Sequence, residues 1–180
     1  MIITARLNAK LQPLDRGDYF EDPLNEYLSS KKIGEVVGAG TQMGENGEIA
    51  CCDLEIELNS DDETSLQLII KFLEKLHAPK GSVLILNDGK EIPFGEAPGL
   101  AIYLNGTELP DEVYAECDVN LIIEEFDRML EGLGEVMSHW SGPTETALYI
   151  YGSDYEKMLS KIKPFIQSYP LCQKSRIARS

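Results

Sequence analysis

The second half of this 180-residue chain repeats its first half. The tripeptide Gly-Glu-Val at positions 34–36 recurs at positions 134–136, and the segments around each copy match in the same order. An internal period this long indicates two copies of one small domain, not a solenoid of short repeats. A gapless shift of 93 positions adds further identities, which pair Ser60-Asp61, Glu63, Leu66, Ile69, Phe72 and Ser82 with Ser153-Asp154, Glu156, Leu159, Ile162, Phe165 and Ser175.

Element patterns in the first copy follow the order βαββαβ. Residues 13–18 are predicted to form a turn because they hold Pro, Asp and Gly, and Asp22 is predicted to cap a helix that opens at Pro23. The clearest strand covers residues 49–58, where apolar and acidic side chains alternate. The predicted strands and helices of this copy are 1–8, 23–28, 33–39, 49–58, 63–76 and 82–86.

The same order restarts after a segment rich in Gly and Pro. Its predicted elements are a strand at 100–104, a helix at 119–130, a hairpin of 134–140 with 146–151, a helix at 154–168 and a strand at 175–179. This order is that of the ferredoxin-like arrangement, an antiparallel sheet with both helices on one face. The sequence therefore predicts an α+β protein made by tandem duplication of a ferredoxin-like βαββαβ unit, with residues 1–86 as the first unit, 87–99 as linker and hairpin, and 100–180 as the second unit.

Composition bounds the classes of function open to the chain. Its 31 acidic and 16 basic residues give a formal net charge of −15, with an isoelectric point near 4.5. The resulting field repels polyanions, so no nucleic-acid binding is expected, whereas a basic partner is favoured. An acidic surface that only maintains solubility is the alternative.

The compartment is predicted from what the sequence lacks. No apolar run approaches the roughly 18 residues of a membrane span, and the N-terminus has no pattern of a signal peptide. The four cysteines, Cys51, Cys52, Cys117 and Cys172, show no C-x-x-C spacing. We therefore expect a cytoplasmic protein with reduced thiols and no contact with a membrane.

Three carboxylates are predicted to project in a row from the strand over 49–58. Asp53, Glu55 and Glu57 alternate with its apolar residues, which places them on the face of the sheet that the helices leave open. Like charges this close repel unless water, a cation or a basic partner lies between them. We expect Glu55 and Glu57 to contact a cationic ligand or a basic protein, and a solvated strand face is the alternative. No metal site is expected, because carbonyl or imidazole ligands are not indicated nearby.

The second copy is predicted to differ on its helix-free face. At the gapless shift the two glutamates align with Leu148 and Ile150, while Tyr149 and Tyr151 take the opposite parity. Whichever pair faces the helices, the other presents apolar or aromatic area, to which Trp140 on the neighbouring strand adds. Soluble monomers rarely expose such a patch, so the first copy, a second subunit or a ligand should cover it. A homodimer is therefore expected.

The segment 139–146 is the predicted rim of a binding pocket. It holds an imidazole, an indole, three hydroxyl groups and a carboxylate in a hairpin connection, and loops on a rigid scaffold often carry function. His139, Trp140 and Glu145 are its candidate ligand-binding residues, and a plain turn with Trp140 as a packing anchor is the alternative. The spacing does not establish a nucleophile and base in Ser141 and His139, so no catalytic residue and no cofactor are predicted.

The leading functional prediction is a non-enzymatic binding protein that uses the groove between the two repeats for a small cationic or aromatic ligand. One alternative is an acidic interaction module, of the immunity or antitoxin kind, that neutralises a basic partner. The other is an enzyme whose site in the same groove the sequence does not mark. The predicted ligand-binding residues are His139, Trp140, Glu145, Tyr149, Tyr151, Glu55 and Glu57.

As a whole, and without a diagnostic motif, the chain resembles uncharacterised accessory proteins of bacterial mobile (integron-type) gene cassettes. This resemblance implies a dispensable cytosolic protein that often self-associates. It transfers no functional residue to this sequence.

Overall fold

The computed structural model describes residues 1–60 and 62–180 in two compact units, Met1–Ala97 and Pro98–Ser180. Asp61, which the repeat matches to Asp154 and which precedes a predicted helix, lies outside the described residues.

The first unit is a five-stranded antiparallel sheet with helices. Its strands lie in the order β2-β3-β1-β4-β5. The strands are β1 (Ile2–Leu7), β2 (Gly34–Met43), β3 (Ile49–Leu58), β4 (Ser82–Ile85) and β5 (Glu91–Phe94). The helices are α1 (Pro13–Arg16), α2 (Asp22–Lys31) and α3 (Glu63–Lys75).

The second unit repeats this plan with four strands. Their order, β7-β8-β6-β9, matches β2-β3-β1-β4 of the first unit, and every pair is antiparallel. The elements are β6 (Gly99–Asn105), α4 (Asp111–Glu116), α5 (Val119–Met129), β7 (Gly134–Ser141), β8 (Glu145–Gly152), α6 (Tyr155–Ser168) and β9 (Arg176–Arg179). The strand order confirms the predicted α+β fold, a duplicated ferredoxin-like βαββαβ unit.

Each unit buries one face of its sheet beneath its helices. In β3 the alternate residues Cys52, Leu54, Ile56 and Leu58 are buried, which confirms the pattern predicted for 49–58. In the second unit, one continuous core joins β6, β7 and β8 to α5 and α6, and its members include Ile102, Val136, Leu148, Ile150, Phe126 and Ile162. Among the described residues, the helices α5 and α6 pack on this core face of the second sheet, and we call the opposite face of each sheet its helix-free face.

The edge strands β2 and β7 share a local hydrogen-bonding feature that supports the duplication. The backbone N–H of Val36 donates a hydrogen bond of 3.0 Å to Asn25 Oδ1, and the N–H of Val136 donates one of 2.8 Å to Asp127 Oδ1. In both strands a β-bulge follows directly after this valine. A helix side chain therefore occupies one outward-facing donor of each edge strand, which is a common way to protect such an edge.

Strand register corrects the alignment of the two copies by one residue. Gly34 pairs with Leu58 at the end of the first hairpin, and Gly134 pairs with Gly152 at the end of the second. Position 58 therefore corresponds to position 152, a shift of 94 in place of the 93 that the sequence identities suggest. The connection to the next helix is four residues long after β3 and two residues long after β8, so no single shift fits both strand and helix.

The helical segment of the first unit begins earlier than predicted. The turn predicted for residues 13–18 is wrong, because α1 begins at Pro13 and a π-helical turn, Gly17–Glu21, joins it to α2. Asp22 consequently lies within a continuous helical path and does not cap it from outside. Arg16 and Phe20 are buried on this segment, so packing outweighs the turn preference of its Asp and Gly residues.

The segment 87–99, predicted as linker and hairpin, forms the hairpin but contains little linker. Its first part turns at Gly89, which has a φ of +82°, and then forms β5 against β4. Phe94 and Ala97 are buried, and the N–H of Lys80 donates a 2.9 Å hydrogen bond to the carbonyl of Ala97. Most of the segment therefore completes the first sheet, and the second unit starts at Pro98.

Candidate functional site

The predicted acid row lies on the helix-free face of the first sheet. Because Leu54 and Ile56 are buried, the alternating side chains of Asp53, Glu55 and Glu57 point to the other face. Glu55 and Glu57 are exposed, and Asp53 is half-buried. The structure thus places all three carboxylates where the sequence predicts them.

Asp53 is neutralised by a basic residue on the neighbouring strand. Arg6 lies directly opposite it in β1, and its guanidinium donates two hydrogen bonds of 2.8 Å, one to each carboxylate oxygen. The hydrogen bond to Asp53, and then its charge, raise the pKa of Arg6. A two-point ion pair of this geometry is the strong form of the interaction, so Arg6 compensates the charge of Asp53 within the sheet.

Glu57 and Glu55 have no such neighbour. Glu57 lies directly opposite Glu35 of β2, and Glu55 lies opposite Gly38, where a side chain would come within 2.9 Å of the Glu55 carboxylate. In residues 1–60 and 62–180, no lysine or arginine forms an ion pair with any of these three glutamates. Like charges directly opposite each other destabilise a sheet, so this part of the face favours an external cation.

A polar cleft lies at the end of the β2–β3 hairpin. Its volume is about 260 Å³, and both Glu35 and Glu57 contribute to its lining. The other lining residues are Ser29, Gly34, Leu58 and Asn59. The six lining residues thus include two carboxyl groups and no basic side chain.

The helix-free face of the second sheet is aromatic. Leu148 and Ile150 belong to the helix-facing core, so Tyr149 and Tyr151 point to the other face, where both are fully buried. The ring of Tyr149 meets that of Tyr103 edge-on, with 6.4 Å between the ring centroids. By strand register, Tyr149 and Tyr151 occupy the positions in the second sheet that Glu55 and Glu57 occupy in the first. The gapless alignment instead predicts that the tyrosines point to the face opposite to that of the glutamates.

Glu145, a predicted ligand-binding residue, has a cation supplied by the chain itself. Arg176 of β9 donates a hydrogen bond of 2.9 Å from Nη2 to Glu145 Oε2. Its guanidinium carbon lies 3.7 Å from the centroid of the Tyr103 ring, which is a close cation–π contact. The hydrogen bond to Glu145 is the main reason that the pKa of Arg176 is raised.

His139 and Trp140 lie on opposite faces of β7. Trp140 pairs with Ala147 and shares the helix-free face with Tyr149, whereas His139 pairs with Leu148 and is exposed. A Cβ atom at Gly142 would overlap the indole of Trp140, so the ring packs closely on the turn. The structure therefore brings Trp140, Glu145 and Tyr149 to one face and leaves His139 off it, while Glu55 and Glu57 belong to the other unit.

Three residues of these faces were missed by sequence reasoning. Arg6, Glu35 and Arg176 all lie on strands, and each is placed by its partner across the sheet. The signal for Arg6 was present, since β1 and β3 are adjacent and antiparallel in the predicted fold. Register, which the sequence does not state, was needed to set it opposite Asp53.

In the described part of the chain, no group of three or more His, Cys, Asp or Glu side chains could hold a metal ion, and no helix is both long and apolar enough to cross a membrane. All four cysteines are free thiols. Burial raises the pKa of Cys52, and it raises that of Cys172 to about 12, which keeps both thiols protonated and unreactive at neutral pH.

Comparison with known proteins gives no family. No family model matches the chain, and no curated protein matches it. Solved structures that align with it include a candidate monooxygenase from Fusobacterium nucleatum (13% identity, 99% of this chain and 89% of that chain, TM-score 0.34). Others are an unknown protein from Galdieria sulphuraria (11%, 99% and 95%, 0.31) and the regulatory subunit of aspartate kinase from Thermus flavus (12%, 91% and 91%, 0.30). Scores of this size do not carry a function to the chain, and the fold assignment rests on the strand order.

Proposed function

We propose that this protein is a binding module whose acidic first-sheet face captures the cationic groups of a partner. The observation that carries the proposal is a group of three exposed glutamates, Glu35, Glu55 and Glu57, which form no ion pair with a basic residue in the described part of the chain, although the adjacent Asp53 does. We define these three residues as the acid face. A basic partner would remove their mutual repulsion, and the net charge of −15 would draw it in from solution.

The second sheet supports the same choice by contrast. There the position where a ligand cation could meet Glu145 and the Tyr103 ring is filled by Arg176. A small cationic ligand would have to displace this internal contact before it could bind. The ligand groove predicted between the two repeats and the predicted homodimer stay predictions, and the acid face needs neither.

The proposal is tested by the binding of fluorescent oligolysine to the whole protein, followed by anisotropy. The double variant Glu55→Gln with Glu57→Gln should weaken binding at least tenfold, since each lost charge–charge contact contributes about 1 kcal/mol near a surface. Binding to the unchanged protein should also weaken as salt rises, because exposed charges are screened.

A matched control separates the acid face from net charge alone. Glu112→Gln with Glu116→Gln changes the formal net charge of −15 by the same amount, but both residues are exposed on α4 of the second unit. This control should bind oligolysine nearly as the unchanged protein does. Equal weakening by both double variants would show a diffuse field, and absence of any oligolysine binding would remove the proposed function.

A further inference from the structure

The acid face borders an apolar strip on the same side of the first sheet. Ile2 lies opposite Glu57, Ile85 lies opposite Thr4 in the next pair of strands, and Val83 lies opposite Arg6. Ile2 is 55% exposed, which is unusual for a strand in the middle of a sheet, and the other two apolar side chains are half-buried. We call Ile2, Val83 and Ile85 the apolar strip.

Acidic groups flank the apolar strip on both sides. Glu55 and Glu57 lie on β3, which is next to β1, and Glu91 lies opposite Ile85 on the edge strand β5. Among the described strand residues that share this face, Arg6 is basic, and its charge is already compensated by Asp53. A surface with apolar residues in the centre and negative charge at both sides complements a ligand with an apolar stripe between basic residues.

The width of this surface matches the diameter of an α-helix. Neighbouring strands lie about 4.8 Å apart, so the glutamates of β3 and the strip residues of β4 are separated by about 10 Å. An α-helix is about 10 Å across, and an amphipathic helix carries its apolar residues as one stripe with polar residues beside it. An anionic membrane surface, the other common target of apolar side chains near charges, would be repelled by the glutamates.

From these observations we infer that the partner is a basic amphipathic helix, which docks its apolar stripe on Ile2, Val83 and Ile85 and directs its lysines or arginines toward the glutamates at either side. This inference rests on the proposed function and narrows it from any cationic partner to one kind of segment. Helices that lie in apolar grooves of other proteins are held in the same way, by a few anchors at helical spacing.

Two synthetic peptides of identical composition test the inference on the whole protein. One is a Leu and Lys peptide with the leucines on one helical face, and the other is a scrambled version without a stripe. Both should bind if the acid face captures cations, but the amphipathic peptide should bind at least fivefold more tightly, because it alone can bury several aliphatic side chains together on the apolar strip.

The variant Ile2→Ser should remove most of this advantage. It should weaken binding of the amphipathic peptide about fivefold and leave the scrambled peptide unchanged. The matched control is Leu121→Ser on α5, where the leucine is 41% exposed in the second unit, and it should change neither affinity. Amide chemical shifts of Thr4, Val83 and Ile85 should move on addition of the amphipathic peptide.

The outcomes separate this inference from the proposed function. Equal binding of both peptides, or an amphipathic advantage that survives Ile2→Ser, overturns the docking of a helix while electrostatic capture stands. Failure of both peptides to bind overturns both. Binding of a Leu and Glu peptide of the same pattern would also overturn both, because it would show that negative charge is not selected against.

Discussion

In the first sheet, β3 presents Glu55 and Glu57 on the face without helices, whereas β8 of the second sheet presents Tyr149 and Tyr151 at the equivalent positions. The glutamates are exposed and the tyrosines are fully buried. Both strands bury the alternate residues in the same way, against helices of the same arrangement. Duplication has thus preserved one face of the sheet as a core and changed the chemistry of the other.

The neighbouring strands, β1 and β4 in the first sheet and β6 and β9 in the second, also differ in chemistry on the helix-free face. By register, Arg6 of the first sheet corresponds to Tyr103 of the second, and Val83 corresponds to Arg176. In the first sheet Arg6 binds a carboxylate on the next strand, while in the second Arg176 covers the Tyr103 ring as well as binding Glu145. A single pattern of strand positions therefore supports a charged surface in one unit and an aromatic, buried one in the other.

The largest effect is expected where the faces differ most in burial. Tyr149→Ala should destabilise the protein by about 3–5 kcal/mol, because it removes a fully buried ring, whereas Glu55→Ala should change stability by no more than about 0.5 kcal/mol. Urea denaturation followed by circular dichroism measures both. If both variants lose the same free energy of unfolding, burial of Tyr149 does not stabilise the protein more than the exposed Glu55 does.

An intermediate effect is expected at the arginine of the first sheet. Arg6→Ala removes a partly exposed two-point ion pair, so it should cost about 1 kcal/mol or less in stability. It should also leave Asp53 without its cation and thereby tighten oligolysine binding severalfold. Weaker oligolysine binding by this variant, at low salt, would contradict a role for charge on this face.

The smallest effect concerns the side chains that protect the edge strands. Burial raises the pKa of Asp127, while its hydrogen bond from the N–H of Val136 acts in the opposite direction. A raised pKa means that the charged form of Asp127 is disfavoured in the folded protein. The resulting loss of folding stability is present at neutral pH and disappears below the pKa that this carboxyl group has in the unfolded chain. Asp127→Asn keeps the acceptor, as Asn25 does in the first unit, and should stabilise the protein by less than about 1 kcal/mol at pH 7.

The pH dependence identifies the cause of that gain. Denaturation of Asp127→Asn and the unchanged protein should be compared from pH 7 down to pH 4, and the difference should shrink as Asp127 becomes protonated. Asn25→Asp is the matched control, and because position 25 is exposed, burial does not disfavour the charged form there and stability at pH 7 should change little. A gain that does not depend on pH would show that charge at position 127 is not its cause.

Sequence patterns predicted the fold because alternation and helical stripes are local. The strand 49–58, with its buried Cys52 to Leu58 set, and the acid row followed directly from period-two alternation. The start of α1 at Pro13 did not, since packing of Phe20 outweighed turn-forming residues nearby. The turn preference of single residues is weak compared with the free energy of burying a large side chain. Sequence-based prediction of secondary structure therefore fails most readily where turn-forming polar residues and a core residue lie in one segment.

The candidate site depended more on register than on composition. One residue of shift decided whether Glu55 corresponds to Leu148 or to Tyr149, and identities in the following helix gave the wrong value. The same register sets Arg6 opposite Asp53 and Glu35 opposite Glu57. A slip of one position moves every side chain to the other face, which is why cross-strand pairs are the part of a site that sequence alone determines least.

The divergence of β3 and β8 also bears on how a duplicated chain avoids misassembly during folding. Tandem copies of one domain can exchange equivalent segments, which traps the chain in the wrong topology. A β3 strand in the place of β8 would bring Glu55 and Glu57 into positions that the native protein buries, at a cost of several kcal/mol for uncompensated carboxylates. The reverse exchange would expose two tyrosines to water, so each strand carries a penalty against joining the sheet of its twin.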